Sequence, residues 1–330
     1  MKTVFQILFL VVSVNLFSQV ETEVSENNVK YDTIYIKNLS DKLAFRIYNI
    51  WKNTELKLTD LKTKKYLQIE PNGSTNIGLG FNYKWMGLGI AFGMPFINND
   101  DSIYGKTKRF DFQLNLYGRT MGADIYFQRY KGFYISNPKM LVSWNKKEYP
   151  ILEDMQIIAL GASVYYFFNH KKFSYRAAFV RNEIQKKGQG SIILGVYYGL
   201  NSAFDKTGFL SANLKDSLNT LFDIYSFNSN NFGISFGYTF TFVIAKQFFI
   251  NLSLVPGIGG VKTNITTSNN VYKLGTHLAV RYIARFALGY ENKNFYMGLT
   301  AYSTGSSYEY SYIKIEPSTG NVKLFFGKRF

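Results

Sequence analysis

The sequence predicts an all-β fold, a transmembrane antiparallel β-barrel of about twelve strands within a range of about ten to fourteen. Three observations carry that prediction. Stretches of about ten residues alternate between bulky apolar side chains and small, amide or charged ones, then end in a turn. The apolar face is almost uniformly large, while the opposite face holds glycine, hydroxyls, amides and charges. A soluble barrel packs its bulk inside, so this arrangement is the reverse: apolar outward to lipid, polar inward. Aromatic residues reach 18% and charged residues only 18%, against a usual charged share of about 25%, so part of the surface is not built to face water.

Met1, Lys2 and Thr3 form a short positive region before the apolar run Val4–Phe17, and Ser18 supplies a small residue for cleavage. Residues 1–18 therefore read as a secretory signal peptide, too short for a membrane span of about twenty residues. No later stretch resembles a membrane helix, and in hydrocarbon only helices and closed barrels satisfy every backbone polar group. The absence of cysteine excludes disulfides, thiolate metal sites and a lipid-modified N-terminal cysteine. A net charge of +16 on an exported chain points to anionic lipid headgroups or passing anions, and not to nucleic acid.

Residues 19–73 read as a periplasmic lead-in with short strands, closed by the turn Pro71-Asn72-Gly73. The barrel is expected over 74–330. Its first strand sets Ile77, Leu79, Phe81, Tyr83 and Trp85 against Asn76, Gly78, Gly80, Asn82 and Lys84. A second follows near 87–94. Over 108–117, Phe110, Phe112, Leu114 and Leu116 oppose Arg109, Asp111, Gln113 and Asn115 without an error. Further spans are predicted near 121–131, 155–168, 172–182 and 191–200. The run 231–244 places Phe232, Ile234, Phe236, Tyr238, Phe240, Phe242 and Ile244 on one face. Spans near 247–258, 272–289, 293–303 and 321–330 complete the series. In the last, Val322, Leu324, Phe326 and Phe330 share a register that Lys328 interrupts, a pattern that resembles the assembly signal of outer-membrane barrels. Counting back from that strand, the long segments 304–320, 259–271 and 201–230 fall outside, but 95–107 and 132–153 fall on the inner side. One strand between 130 and 190 is therefore expected to be miscounted, because barrels keep their short turns on the periplasmic side.

By register, Lys84, Arg109, Arg176, Lys273, Arg281 and Arg285 point into the lumen against Asp111 and Asp124. A net positive interior lowers the entry barrier for anions, and a sealed ion-pair network is the alternative. Only two histidines are present. His170 sits in a turn, and His277 falls in the lumen register beside Lys273 and Arg281, which makes it the one candidate for a catalytic base. Ser191, Ser235 and Asp124 could accompany it, but no spacing singles one out, so no catalytic residue is assigned. Two histidines without cysteine do not compose a transition-metal site, and Asn98–Ser102 lacks the spacing of a calcium loop. No metal and no cofactor are expected.

The stretches PNGSTNIGLGFNYKWMGLGIAF (71–92), FNHKKFSYRAAFVRNEIQKKGQGSIILG (168–195) and LVPGIGG (254–260) resemble an uncharacterised family of Bacteroidota outer-membrane barrels, domain of unknown function 4421. The resemblance runs from about residue 30 to the end. It implies a signal peptide, a single barrel and an outer-membrane location, and it implies no activity; the partners expected of such a barrel are the lipid bilayer, lipopolysaccharide and the barrel assembly machinery. Two readings stay open. One is a non-enzymatic barrel, either a narrow pore for small anionic solutes or a plugged structural barrel. The other is an outer-membrane enzyme acting on lipid or lipopolysaccharide with His277 as base. A soluble glycan-binding β-sandwich is a third and more distant alternative.

Overall fold

The computed structural model describes residues 31–83, 86–93, 99–210, 214, 222–310 and 312–330. The expected signal peptide (1–18), Lys84 and Trp85 lie outside the described residues. The chain runs through β1 (Ile36–Asn38), β2 (Ala44–Asp60), β3 (Tyr66–Glu70), β4 (Ser74–Tyr83), β5 (Met86–Gly93), α1 (Asp101–Tyr104), β6 (Lys108–Tyr117) and β7 (Met121–Ile135). It continues through α2 (Pro138–Leu141), β8 (Ile151–Phe167), α3 (Tyr175–Phe179), β9 (Glu183–Gln185), β10 (Gln189–Phe204) and β11 (Ser226–Ile244). Four long strands end it: β12 (Phe248–Thr266), β13 (Val271–Glu291), β14 (Phe295–Tyr310) and β15 (Ile313–Arg329). Among the described residues no helix is long and apolar enough to cross a membrane.

The ladders are antiparallel and close on themselves. Neighbours run β15-β14-β13-β12-β11-β10-β8-β7-β3-β2, and β15 pairs back onto β2 from Ala44–Arg329 to Asp60–Ile313. Ten strands thus form a closed hydrogen-bonded ring. After Pro71, Asn72 and Gly73, β4 continues in the direction of β3 and pairs with the other half of β2, Ala44–Lys52. β5 then pairs with β4, and β6 with β7.

Period-two alternation explains which side chains face where, and its sense reverses along a strand. In β2, Phe45, Ile47 and Trp51 are exposed on the outside while Arg46, Tyr48 and Lys52 face in. Further along the same strand, Glu55 and Lys57 are outside, and Leu56 and Leu58 are buried inside. The first half is dressed for hydrocarbon and the second for water. Nine residues from Ala44 to Lys52 match the roughly nine to eleven a tilted strand needs to cross. The lipid-facing belt continues around the ring with Phe232, Ile234, Phe236, Leu252, Leu254, Leu324 and Phe326, all exposed.

The segment 172–182, expected as a strand, forms no strand: it lies in the insert 168–188 between β8 and β10 and holds α3. The expected lead-in also ends earlier than residue 73, because β2 is a wall strand that closes the barrel. These two corrections offset each other in the strand count. They also resolve the topology, since without a strand at 172–182 the segments 99–107 and 136–150 join the long loops at the outer end. The tight turns after β6, β11 and β13 gather at the other end with Ala44 and Arg329.

On the inner wall, tyrosines lean across strands into space left by glycine. A Cβ at Gly161 would lie 2.4 Å from the Tyr126 ring, and one at Gly78 would lie 2.3 Å from the Tyr48 ring. Only glycine leaves room for these rings, which accounts for glycine on the polar face of the strands.

Candidate functional site

The barrel interior is layered. At the outer end, inward residues of the ring such as Leu58, Ile69, Phe133 and Ile157 join Phe209, Leu210 and Phe222, which follow β10 and precede β11, in a continuous apolar core. Burying that surface on the inside is favourable because the strands here have left the bilayer.

At the inner end, the insert 168–188 lies across the mouth. Ser174 caps α3 by accepting a hydrogen bond from the Ala177 N–H at 3.0 Å. Glu183, fully buried, then gathers the insert: Ser174 Oγ donates to it at 2.5 Å, Arg119 Nη2 at 2.5 Å, and Arg176 Nη1 stands 3.5 Å away. Such charge-assisted bonds are the strong ones, and a buried carboxylate needs them. The insert reaches opposite walls. Asn82 of β4 donates to the Val180 carbonyl at 2.5 Å, Arg329 of β15 donates to the Arg181 carbonyl at 2.9 Å, and the Arg181 guanidinium lies 4.1 Å from the Phe249 ring of β12. Burial pulls the Arg181 guanidinium down to about 10, with Glu291 acting against that shift, so it stays charged at neutral pH. Burial likewise lowers Arg119, opposed by Glu183. From outside, β1 pairs with β9 through Ile36–Gln185 and holds the insert in place.

Between core and insert lies a polar chamber of about 260 Å³. Five cations line it, Arg46, Lys52, Arg181, Arg285 and Lys323, against two carboxylates, Asp111 and Asp124. Arg285 donates to Asp124 and to the Tyr117 hydroxyl, and Tyr117 donates in turn to Asp124. Lys52 stands 3.0 Å from Asp111, which also accepts from Tyr130 at 2.9 Å and Gln128 at 3.1 Å. Both carboxylates are therefore committed. Among the described residues, no carboxylate lies within ion-pair distance of Arg46 or Lys323, and both lie near the ring of Tyr48, at 5.8 Å and 4.8 Å.

Of the lumen residues expected from register, the structure brings Asp111, Asp124 and Arg285 to the chamber. Arg281 also faces inward, lining a smaller cavity beside Thr54, Tyr126 and Gln128, where it donates to Ser163 Oγ at 3.1 Å and lies 4.6 Å from the Tyr197 ring. Arg109 donates to the Asn72 carbonyl at 2.5 Å beside Pro71–Gly73. Arg176 belongs to α3 in the insert and not to a strand. Lys273 and His277 are exposed on the outer part of β13, beyond its last pair with β14 at Val280–Ser307. His277 is thus outside the polar lumen, whereas Ser191 and Ser235 are buried in the wall. His170 sits in the turn after β8, its Nδ1 3.2 Å from the Phe167 carbonyl. Among the described residues, no three histidine, aspartate or glutamate side chains are placed to hold a metal.

Sequence reasoning missed Arg46, Lys52, Arg181 and Lys323. Lys323 had a signal, because Val322 and Leu324 face outward and the residue between them must face in. Arg46 and Lys52 lay in the segment assigned to the lead-in.

The family described as Domain of unknown function (DUF4421) matches residues 30–330. The chain belongs to that family. Comparison with curated protein sequences gave no match. Among solved structures, it resembles the outer membrane protease OmpT from Escherichia coli, with 9% identity and a TM-score of 0.39 over 89% of this chain and 98% of that one. It also resembles the translocator domain of the autotransporter NalP from Neisseria meningitidis, with 8% identity and a TM-score of 0.33 over 97% and 95%. A third is the Pseudomonas outer membrane protein OprG from Pseudomonas aeruginosa, with 9% identity and a TM-score of 0.24 over 89% and 97%. The second sequence motif quoted for the family, 168–195, coincides in this chain with the insert and the start of β10.

Proposed function

We propose that this chain is an outer-membrane barrel sealed against ion flow, in which the cation-lined lumen is a closed chamber and not a conduction path. The observation that carries this reading is the insert 168–188, fastened to β4, β12 and β15 across the inner mouth. The apolar core at the outer end supports it, since a water-filled pore needs a polar path through both ends. In this reading residues 1–18 direct export and are removed, residues 19–43 are periplasmic, and the partners are the bilayer, lipopolysaccharide and the machinery that inserts barrels. A lipid-modifying enzyme based on His277 is disfavoured, because that residue is exposed on the outer part of β13 and no hydroxyl is hydrogen-bonded to it among the described residues.

The test is single-channel conductance of the refolded, heat-modifiable protein in a planar bilayer under a salt gradient. Wild-type protein is expected to be silent, and a variant in which residues 174–186 are replaced by a short glycine-serine linker is expected to show current. Stable anion-selective steps from the wild type would overturn the sealed reading in favour of a pore.

A further inference from the structure

We infer that the chamber is a binding site for a single acidic amphiphile, with its phosphate or carboxylate headgroup between Arg46 and Lys323 and its chain leaving sideways between β5 and β6. The inference deepens the sealed-barrel reading and rests on it.

Four observations lead there. First, the wall is not hydrogen-bonded everywhere at bilayer level. β5 pairs with β4 and β6 pairs with β7, but among the described residues no ladder joins β5 to β6. Two strand edges facing hydrocarbon leave N–H and C=O groups without partners, a costly arrangement unless something fills the gap. Second, the chamber reaches this seam: Gly89 and Ala91 of β5 and Gln113 and Asn115 of β6 line it, and all four are exposed although they face inward. Outside the seam the surface is apolar, with Ile90 and Phe92 on β5 and Phe110 and Phe112 on β6 exposed.

Third, the chamber holds positive charge in excess. Asp111 and Asp124 are already paired, and Arg46 Nε, Arg181 Nη2 and Arg285 Nε are buried without hydrogen-bond partners. Arg181 and Arg285 are each more than nine-tenths buried. Unfilled donors on buried cations call for an anion. Fourth, the strands between the seam and the cations carry small residues, and the Tyr48 ring is what lies over them, reaching both Gly78 and Gly89. From the seam to β2 the inner face presents Gly89 and Ala91 on β5, then Gly78 on β4, with the Tyr48 ring lying over Gly78. An alkyl chain entering from the seam would run along the Tyr48 ring, which is the one large side chain over these glycines.

The apolar core and the insert close the two aqueous routes into the chamber, so the seam faces the remaining medium, the hydrocarbon. A ligand entering from hydrocarbon carries a chain, and a ligand held by Arg46 and Lys323 carries negative charge. An acidic amphiphile has both.

The experiment uses the folded full-length protein in a non-ionic detergent, with binding read by native mass spectrometry. The probes are lysophosphatidic acid, lysophosphatidylcholine and inorganic phosphate. Lysophosphatidic acid is expected to be retained at least about tenfold better than lysophosphatidylcholine, and inorganic phosphate is not expected to displace it. The R46Q/K323Q double variant is expected to lose that preference, and Ala91→Trp, which fills the chamber beside the seam, is expected to weaken retention with both cations intact. Equal retention of the two lysolipids by the wild type would overturn the proposal, and so would full competition by inorganic phosphate, which would make the ligand a free anion. The lysolipid comparison needs only wild-type protein, so it decides the matter even if a variant fails to fold. Conductance on the same sample separates the two readings: current with selective binding would sink the sealed barrel, and silence without selective binding would sink only the amphiphile site.

Discussion

Arg285 and Asp124, 161 residues apart in the chain, meet in the lumen through a charge-assisted hydrogen bond, with the Tyr117 hydroxyl touching both. Asp124 stands on β7 and Arg285 on β13, strands separated by β8, β10, β11 and β12 in the ring. The contact therefore braces the barrel across its interior, where no ladder can.

Removing one partner strands the other. Asp124→Leu leaves the buried Arg285 charge without its carboxylate, a loss that typically costs roughly 3–5 kcal/mol. The D124L/R285M pair replaces both by apolar groups and is expected to recover most of that loss. The measurement is the temperature at which the compact, heat-modifiable band converts to the unfolded one. A double variant as unstable as D124L would show that the pair does not act as a unit.

The close approach of Tyr126 to Gly161 predicts a second effect. Gly161→Ala places a Cβ 2.4 Å from the ring, so the ring must move from its site over the wall, and overpacking of this kind costs roughly 1–3 kcal/mol. Tyr126→Ala/Gly161→Ala, which removes the ring, is expected to be less sensitive to the added methyl. Thermal conversion of the four proteins in a mutant cycle checks it, and an additive cycle would refute the packing account.

The lipid face gives a third. Phe236 points outward from the middle of β11 and is 60% exposed, so Phe236→Arg sets a charge in the hydrocarbon at roughly 2–4 kcal/mol. Gln113 is also exposed but faces the chamber, and Gln113→Lys is expected to be tolerated. Membrane-inserted yield in vesicles reads the difference, and equal yields would contradict the orientation of the wall.

The same alternation made most of the wall legible in the sequence, and its failures have physical causes. From β11 onward the predicted spans fall on the strands, but β12, β14 and β15 run on through much of 259–271 and 304–320, which the sequence assigned to loops. β2 was lost because its pattern reverses: Arg46 and Lys52 face in beside Leu56 and Leu58, so neither face is apolar along the whole strand. The insert misled for the opposite reason. Phe173, Tyr175, Ala177 and Phe179 alternate as a strand would, yet Tyr175, Ala177 and Ala178 are all buried, and Ser174 was an overlooked helix-capping signal. Arg176 was placed in the lumen wall by that reading, and Lys273 and His277 by extending the register of β13 past the point where β14 stops pairing. The seam between β5 and β6 had no sequence signature, because a missing ladder leaves side-chain alternation unchanged.

The insert itself carries the last prediction. Glu183 is fully buried, and its two oxygens are shared by Arg119, Arg176 and Ser174. Glu183→Ala would leave two arginines facing one another without an anion, and their repulsion together with the lost hydrogen bonds should release α3 from the turn after β6. The ring ladders do not involve Glu183, so the barrel is expected to remain folded and heat-modifiable while the insert loosens. Two readouts follow: faster trypsin cleavage at Lys171, Lys172 or Lys186, and flickering current in a planar bilayer from a protein otherwise silent. Glu183→Gln, which keeps an acceptor for Ser174, is expected to fall between the variant and the wild type. If Glu183→Ala resists trypsin as the wild type does and passes no current, the carboxylate is not what holds the insert in the mouth, and the contacts of Val180 and Arg181 with β4, β12 and β15 must suffice alone.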